Sequence, residues 1–263
     1  MKFGGAAVAN VEQFSAIADL IIERQKQYPR LVVVVSAMGK TTDDLIELAK
    51  KVHPHPPQRE YDMLISVGER ISMSLLAMAL LRKNREAMSF TGSQSGIITS
   101  ADHTNAQIVD VRPHRLIECL DHGHIAIVAG FQGVNPEKKE ITTLGRGGSD
   151  TTAVALSVAF EAPVEFYKDV PGVFEEDPKI NPQAFQHSNL TYTQVLRIVT
   201  TKGAKVLHPR AIALAAANGI PSSQPESKNR KSSLITTRRI LSHPQGASGY
   251  QTGAHAASRS SHH

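Results

Sequence analysis

Apolar residues recur at helical spacing from Val11 to Tyr28, where Val11, Phe14, Ile17, Ala18, Ile21 and Ile22 share one face. Leu31 to Val35 is instead an unbroken apolar run, the pattern of a strand covered on both sides. Leu45 to Val52 returns to a helical period. The following HPHPPQ, residues 53–58, reads as loop because proline continues neither element. Tyr61 to Leu81 predicts one long helix and Ala87 to Phe90 a strand, whereas the polar stretch 91–107 reads as surface loop. Beyond it the pattern predicts a helix over Arg112 to Asp121 and a second buried strand over Ile125 to Ala129. A strand at 141–144, a helix at 150–160, a strand at 163–167 and helices at 192–202 and 209–218 complete the organised part. Buried strands alternating with helices predict an α/β domain with a largely parallel sheet.

After Pro221 the periodicity stops. SSQPESKNRKSS and the final HPQGASGYQTGAHAASRSSHH hold too few large apolar residues to offset the entropy of ordering. The chain is therefore expected to divide into a folded domain over residues 1–221 and a basic, serine-rich, disordered tail over 222–263.

Composition sharpens this picture. Of 263 residues 41% are hydrophobic and 20% charged, proportions of a water-soluble globular protein. One cysteine, Cys119, allows no internal disulfide and points to a reducing compartment. No uninterrupted apolar run approaches the roughly 20 residues of a membrane span, and MKFGGAAVAN lacks a secretory apolar segment. The expectation is a cytoplasmic protein without membrane contact. The net charge of +5 suggests nucleic acid at first sight. Six basic residues and one acid after Ser222 account for all of it, so the folded body is neutral and nucleic-acid binding is not expected.

Three segments place glycine at a strand end facing a helix: KFGGAAV (2–8), SAMGKTTD (36–43) and GRGGSD (145–150). Helix N-termini at such an edge offer free N–H groups to anions. MGKTT is not a Walker A loop, because the glycine required five residues before Gly39 is Val34. GRGGSD is not a dinucleotide fingerprint, because Asp150 occupies its third glycine position. An arginine and an aspartate inside a glycine turn suit a ligand that is both anionic and reactive. Arg146 offers a planar fork for carboxylate or phosphate, and Asp150 can orient lysines or Mg²⁺ around a phosphate. An ordinary helix cap beside a surface arginine would look the same. Lys2 and Lys205 would supply charge for phosphoryl transfer, which is mainly positioning and electrostatics. The twelve histidines show no metal-ligand spacing, so no protein-held metal is expected.

Seven stretches together resemble the catalytic domain of aspartate kinases, within the amino acid kinase superfamily. They are KFGGAAVAN, VVVVSAMGKTTDDL, LISVGERIS, IAIVAGFQG, TTLGRGGSDTTA, FYKDVPGVFEEDPKI and KGAKVLHPRAI, in family order over residues 2 to about 221. The resemblance implies a three-layer αβα sandwich and transfer of the ATP γ-phosphoryl to the side chain of L-aspartate, with Mg²⁺. It implies that Lys2 with the Gly4–Gly5 turn contacts the phosphate. Ser36 and Thr42 would border the two pockets, and Glu69 would hold the substrate ammonium. Arg146 would pair with the α-carboxylate, while Gly147, Gly148, Ser149 and Asp150 would organise the reacting end. Lys168, Asp169, Phe174 and Lys179 would approach the nucleotide, and Lys205 would complete the phosphate clamp. His208 is expected to be structural.

Departures accompany the match. Ala6 and Ala7 stand where the family usually carries Thr-Ser, Phe174 where tyrosine is common, Lys179 for a frequent arginine and Lys168 for a common threonine. Only Met1 precedes Lys2, so the strand presenting the first loop is expected to be nearly absent. SSQPES replaces a further strand, and no pattern of the family's regulatory ACT type follows. The partners implied are aspartate and ATP, with a homo-oligomer or a regulatory chain besides. A catalytically weak nucleotide-binding or partner module, and a kinase of another amino acid such as glutamate, stay open as alternatives.

Overall fold

The computed structural model describes residues 1–168, 172–176, 180–202, 207–224 and 233–236. In chain order its first half runs β1 (Lys2–Phe3), α1 (Val11–Gln27), β2 (Val32–Val35), α2 (Thr41–Val52), α3 (Gln58–Ile65), α4 (Val67–Arg82), β3 (Ala87–Phe90), β4 (Ile97–Thr99), β5 (Ile108–Val111), α5 (His114–Asp121) and β6 (Ile125–Ala129). Then come β7 (Gln132–Asn135), β8 (Glu140–Thr143), α6 (Gly148–Ala159), β9 (Val164–Tyr167), β10 (Val173–Phe174), β11 (Gln186–His187), β12 (Asn189–Thr191), α7 (Tyr192–Lys202), α8 (Pro209–Asn218), β13 (Ser222–Gln224) and β14 (Ser233–Thr236).

The main sheet has the order β12-β14-β13-β9-β1-β2-β6-β3. Its six strands from β13 to β3 are parallel, and β14 runs antiparallel to β13. Period-two alternation sorts β6 between two cores. Ile125, Ile127 and Ala129 join Val33, Val35, Phe14, Leu76 and Leu80 on the α1–α4 side. Ala126 and Val128 join Val34, Val154, Leu156 and Ile212 on the α5–α6–α8 side. Both faces are covered, which is why these strands read as unbroken apolar runs. The fold is the αβα sandwich with a largely parallel sheet.

The structure corrects several expectations. The helix expected over 61–81 is two helices, broken at Ser66 and beginning at Gln58. Across both, Gln58–Arg82 makes 25 residues long and apolar enough, by length and composition, to cross a membrane; half of its most apolar window is buried, with Met73, Leu76, Ala77 and Leu80 packed beside α1. The polar stretch 91–107 is not simply surface loop. It contains β4, and Ser95, Ile97, Thr99 and Ala106 are buried.

The strand expected at 141–144 is present but does not join the main sheet. As β8 it belongs to a separate four-stranded mixed sheet, β5-β4-β7-β8. β1 is only two residues long, yet it sits at the centre of the main sheet between β2 and β9. The tail does not turn irregular at residue 222. β13 pairs in parallel with β9, β14 pairs with β13 and β12, and Ser222 is buried with its hydroxyl 2.6 Å from that of Tyr192. Backbone ladder bonds and a satisfied buried hydroxyl hold a strand whose side chains carry no apolar signature. Residues 225–232 and 237–263 of the expected disordered tail lie outside the described residues.

Candidate active site

The parallel strands β1, β2, β6 and β9 all end on one edge, and each delivers a chemical group there. β1 carries Lys2, buried at 3% exposure, with Nζ 2.5 Å from Asp150 Oδ1 as a close ion pair. Lys168, just past β9, places its Nζ 3.1 Å from Asp150 Oδ2. One carboxylate thus gathers two ammonium groups. Burial pushes the Lys2 ammonium below its ordinary value, against the pull of Asp150 and with a further push from Lys168. Burial alone would raise Asp150, but Lys2 and Lys168 together hold it below the usual carboxylate range.

The three glycine corners meet beside this cluster. The Gly39 N–H donates to Gly5 O at 3.2 Å, and Ser36 and Ser149 share a hydroxyl hydrogen bond of 2.8 Å. Gly4 donates to Tyr167 O at 3.2 Å, and a Cβ on Gly5 would stand 3.0 Å from Ala37 O. Gly147 caps α6 in the left-handed region, with φ 72°. A Cβ there would lie 2.1 Å from the His208 ring, so only glycine fits. This conformation turns the chain so that Gly148, Ser149 and Asp150 form the first turn of α6, where amide N–H groups lack intrahelical acceptors. Asp150 is therefore not the helix cap.

A cleft of about 770 Å³ opens next to this cluster, with Thr42, Glu69, Arg146, Gly147, Gly148 and Ser149 on its walls. Glu69 sits in the first turn of α4, 4% exposed. The Ala37 N–H donates to its Oε1 at 3.2 Å, while its Oε2 is buried without a hydrogen-bond partner among the described residues. Burial pushes this carboxyl up to about 7, opposed by the backbone donors and by Lys2. Arg146 is exposed on the opposite segment, with no hydrogen bond or ion pair among the described residues. The cleft thus offers a buried carboxyl with one oxygen unpartnered among the described residues, and an exposed guanidinium. A second cavity, about 260 Å³, lies at the opposite ends of the strands among Val32, Val34, Leu156, Phe160 and Val164 and is mainly apolar.

The sequence pattern of the amino acid kinase family matches residues 1–223. The chain belongs to the amino acid kinase family. It is 50% identical over 221 residues to an aspartokinase of Mycolicibacterium smegmatis, covering 84% of this chain and 52% of that one. Against an aspartokinase of Bacillus sp. strain MGA3 it is 46% identical over 240 residues, 91% of this chain and 58% of the relative. The chain therefore spans about half the length of the relatives it matches. The crystal structure of aspartate kinase from Synechocystis superposes with TM-score 0.78 at 43% identity, covering 92% of this chain and 40% of that one. The UMP kinase of Bacillus anthracis shares the fold at TM-score 0.64 and 20% identity, over 92% of this chain and 97% of the other.

In this member of the amino acid kinase family, Lys2, Gly4, Gly5, Ser36, Thr42, Glu69, Arg146, Gly147, Gly148, Ser149, Asp150 and Lys168 gather at one strand edge and its adjoining cleft. Phe174 lies in the separate β10–β11 hairpin, half-buried, and does not line the cleft. Asp169, Lys179 and Lys205 lie outside the described residues. Among the described residues no group of three or more His, Cys, Asp or Glu could hold a metal ion.

Other cleft residues were not singled out from the sequence: Tyr61, Thr104, Asn105, Phe131 and Arg210. Phe131 has φ 69°, a conformation uncommon for a bulky residue, and its N–H donates to Thr152 Oγ1 at 3.1 Å. Arg210 donates to Leu144 O at 3.1 Å and to Asn105 Oδ1 at 2.7 Å. His208 is the N-cap of α8, its Nδ1 accepting from Arg210 N at 3.4 Å. A single arginine in HPRAI or an asparagine in a polar loop carries no spacing signal, so these roles required the fold.

Proposed function

We propose that the chain transfers the γ-phosphoryl of ATP to the side-chain carboxylate of L-aspartate, giving 4-phospho-L-aspartate and ADP. The carrying observation is the pairing of Glu69 and Arg146 in one cleft that adjoins the Lys2–Asp150–Lys168 cluster. Glu69 Oε2 would accept from the substrate ammonium, and the Arg146 fork would take the α-carboxylate. The remaining carboxylate would then point toward the first turn of α6. That nucleophile is already an anion at neutral pH, so the reaction needs no general base.

A carboxylate oxygen attacks the γ-phosphorus as the bond to the β,γ-bridging oxygen breaks, leaving an acyl phosphate and ADP. Lys2 and Lys168 would neutralise the charge on the transferring group, and the α6 amides would donate to its oxygens. Asp150 would hold both ammonium groups in place. Lys205 would extend the clamp, and Asp169, Phe174 and Lys179 the nucleotide side. Mg²⁺ fits this donor set only as a companion of the nucleotide, because Asp150 is already engaged with two lysines; it would neutralise phosphate charge. The names of the matched relatives, and the aspartate and ADP bound in an Escherichia coli aspartokinase III of the same fold, support this reading. A cytoplasmic location and self-association or pairing with a regulatory chain belong to the same proposal.

The test is direct. Folded protein with ATP, Mg²⁺, L-aspartate and hydroxylamine should yield aspartyl hydroxamate. Nucleotide binding without product would overturn the reading, and stronger turnover of L-glutamate would change the substrate.

A further inference from the structure

Asp62, on α3, is completely buried. Its carboxylate is saturated by donors from two distant segments. Thr104 N–H donates to both oxygens, at 2.9 and 3.1 Å. Thr143 N–H donates to Oδ2 at 3.0 Å and Thr143 Oγ1 to Oδ1 at 2.6 Å, while His103 Nδ1 stands 3.0 Å from Oδ2. The far side of that imidazole, Nε2, lies 3.2 Å from Glu140. We propose that Asp62 is the positioning residue that fixes the span between the two ends of the amino-acid subsite.

The chain geometry carries the argument. α3 passes through Ser66 into α4, whose first turn holds Glu69. Thr143 ends β8, and the next residues are Leu144, Gly145 and Arg146. Thr104 and its neighbour Asn105 line the cleft between these walls. One carboxylate therefore ties together the segment bearing the ammonium-binding group, the segment bearing the guanidinium, and the loop between them. Asp62 itself does not line the cleft, although Tyr61 and Ile65 on the same helix do. A site needing only stability would be served as well by apolar packing, since burying a charge is costly. A buried anion with its donors arranged around it instead specifies one geometry. Arg210 braces the same two segments from α8 through Leu144 O and Asn105.

This inference rests on the aspartate reading of the cleft. Asp62→Asn keeps the side-chain volume but sets an amide N–H₂ against backbone donors. In the full chain, with folding checked by circular dichroism and melting, KM for aspartate should rise roughly 20-fold while KM for ATP stays within about twofold. The calorimetric affinity for L-aspartate should weaken by the same factor. Combined with Arg146→Ala, Asp62→Asn should add little further increase, because both act on one contact.

A fully additive double variant, parallel changes in both KM values, or an unmoved aspartate KM in folded Asp62→Asn would each overturn the proposal. Should Asp62→Asn not fold, His103→Ala removes one partner only and should raise aspartate KM about fivefold with ATP unaffected; no change there would overturn it too. Wild-type protein that binds and phosphorylates aspartate while these variants behave normally would remove Asp62 alone. Wild-type protein that neither binds nor phosphorylates aspartate would remove the parent reading along with it.

Discussion

The two sheets contribute to the site in different ways. The large parallel sheet supplies its charged floor through backbone direction: β1 and β9 end together, and Lys2 and Lys168 emerge side by side onto Asp150. The small mixed sheet supplies no ion pair to the floor. It carries Thr143 and, just beyond β8, Arg146 to the cleft, held by hydrogen bonds to α3 and α8. On the proposed reading, the floor would stabilise charge during phosphoryl transfer, and the small-sheet wall would recognise the ground-state amino acid. Variants of the two should separate accordingly.

The largest effect is expected at the floor. Lys2→Ala should lower kcat by roughly 10³-fold with aspartate KM little changed. Asp150→Asn should do the same and also lose about 3 kcal/mol of stability, since the buried Lys2 ammonium and the half-buried Lys168 ammonium lose their counter-charge. Chemical denaturation beside steady-state kinetics checks both. A loss confined to aspartate KM would erase the contrast between floor and wall.

At the wall, Arg146→Ala should raise aspartate KM roughly 50-fold and leave kcat within a fewfold. Its exposed guanidinium makes no described contact, so stability should move by less than about 0.5 kcal/mol.

Glu69 gives a finer, pH-dependent test. Its folded carboxyl titrates at about 7, against an ordinary 4.5. Between those values the folded state keeps a proton that the unfolded chain has released, so stability falls as pH rises toward 7 and then levels. In Glu69→Gln that slope should vanish, a relative gain of about 2–3 kcal/mol at pH 8 compared with pH 5. Binding an ammonium needs the anion, so aspartate affinity should rise from pH 6 to 8 in the wild type and stay flat in the variant. A pH-independent wild-type affinity would remove Glu69 from the ammonium role.

The same division governs what the sequence disclosed. Val32–Val35 and Ile125–Ala129 are buried on both faces, and their apolar runs announce the large sheet directly. The small sheet is built from short strands such as Ile97–Thr99 and Gln132–Asn135, whose buried positions include Thr99, Gln132, Asn135, Thr142 and Thr143. Their polarity is satisfied internally, as in the Thr99–Thr142 hydroxyl pair at 2.6 Å and Asn135 Nδ2 donating to Thr99 O at 3.2 Å. Pattern reading equates polar with exposed, so β4, β5 and β7 escaped it. Site residues inside glycine-marked corners were legible for the opposite reason: Gly147, Ser149 and Asp150 sit where turn chemistry and charge depart from ordinary usage. Asp62 lay inside a helical pattern where an acidic residue reads as solvated, and only the four donor groups around its carboxylate reveal otherwise.

Lys2 rides on the shortest strand of the main sheet. Lys2 lies opposite Val34 on one side and opposite Phe166 on the other, and Phe3 likewise opposite Val35 and Tyr167. The second pairing closes a loop spanning most of the described chain, and such distant contacts form slowly and with a large entropic toll. On the proposed reading, refolding protein would lack its electrostatic floor, and with it phosphorylating competence, until this long-range pairing forms. Appearance of activity during refolding would serve as a clock for that pairing.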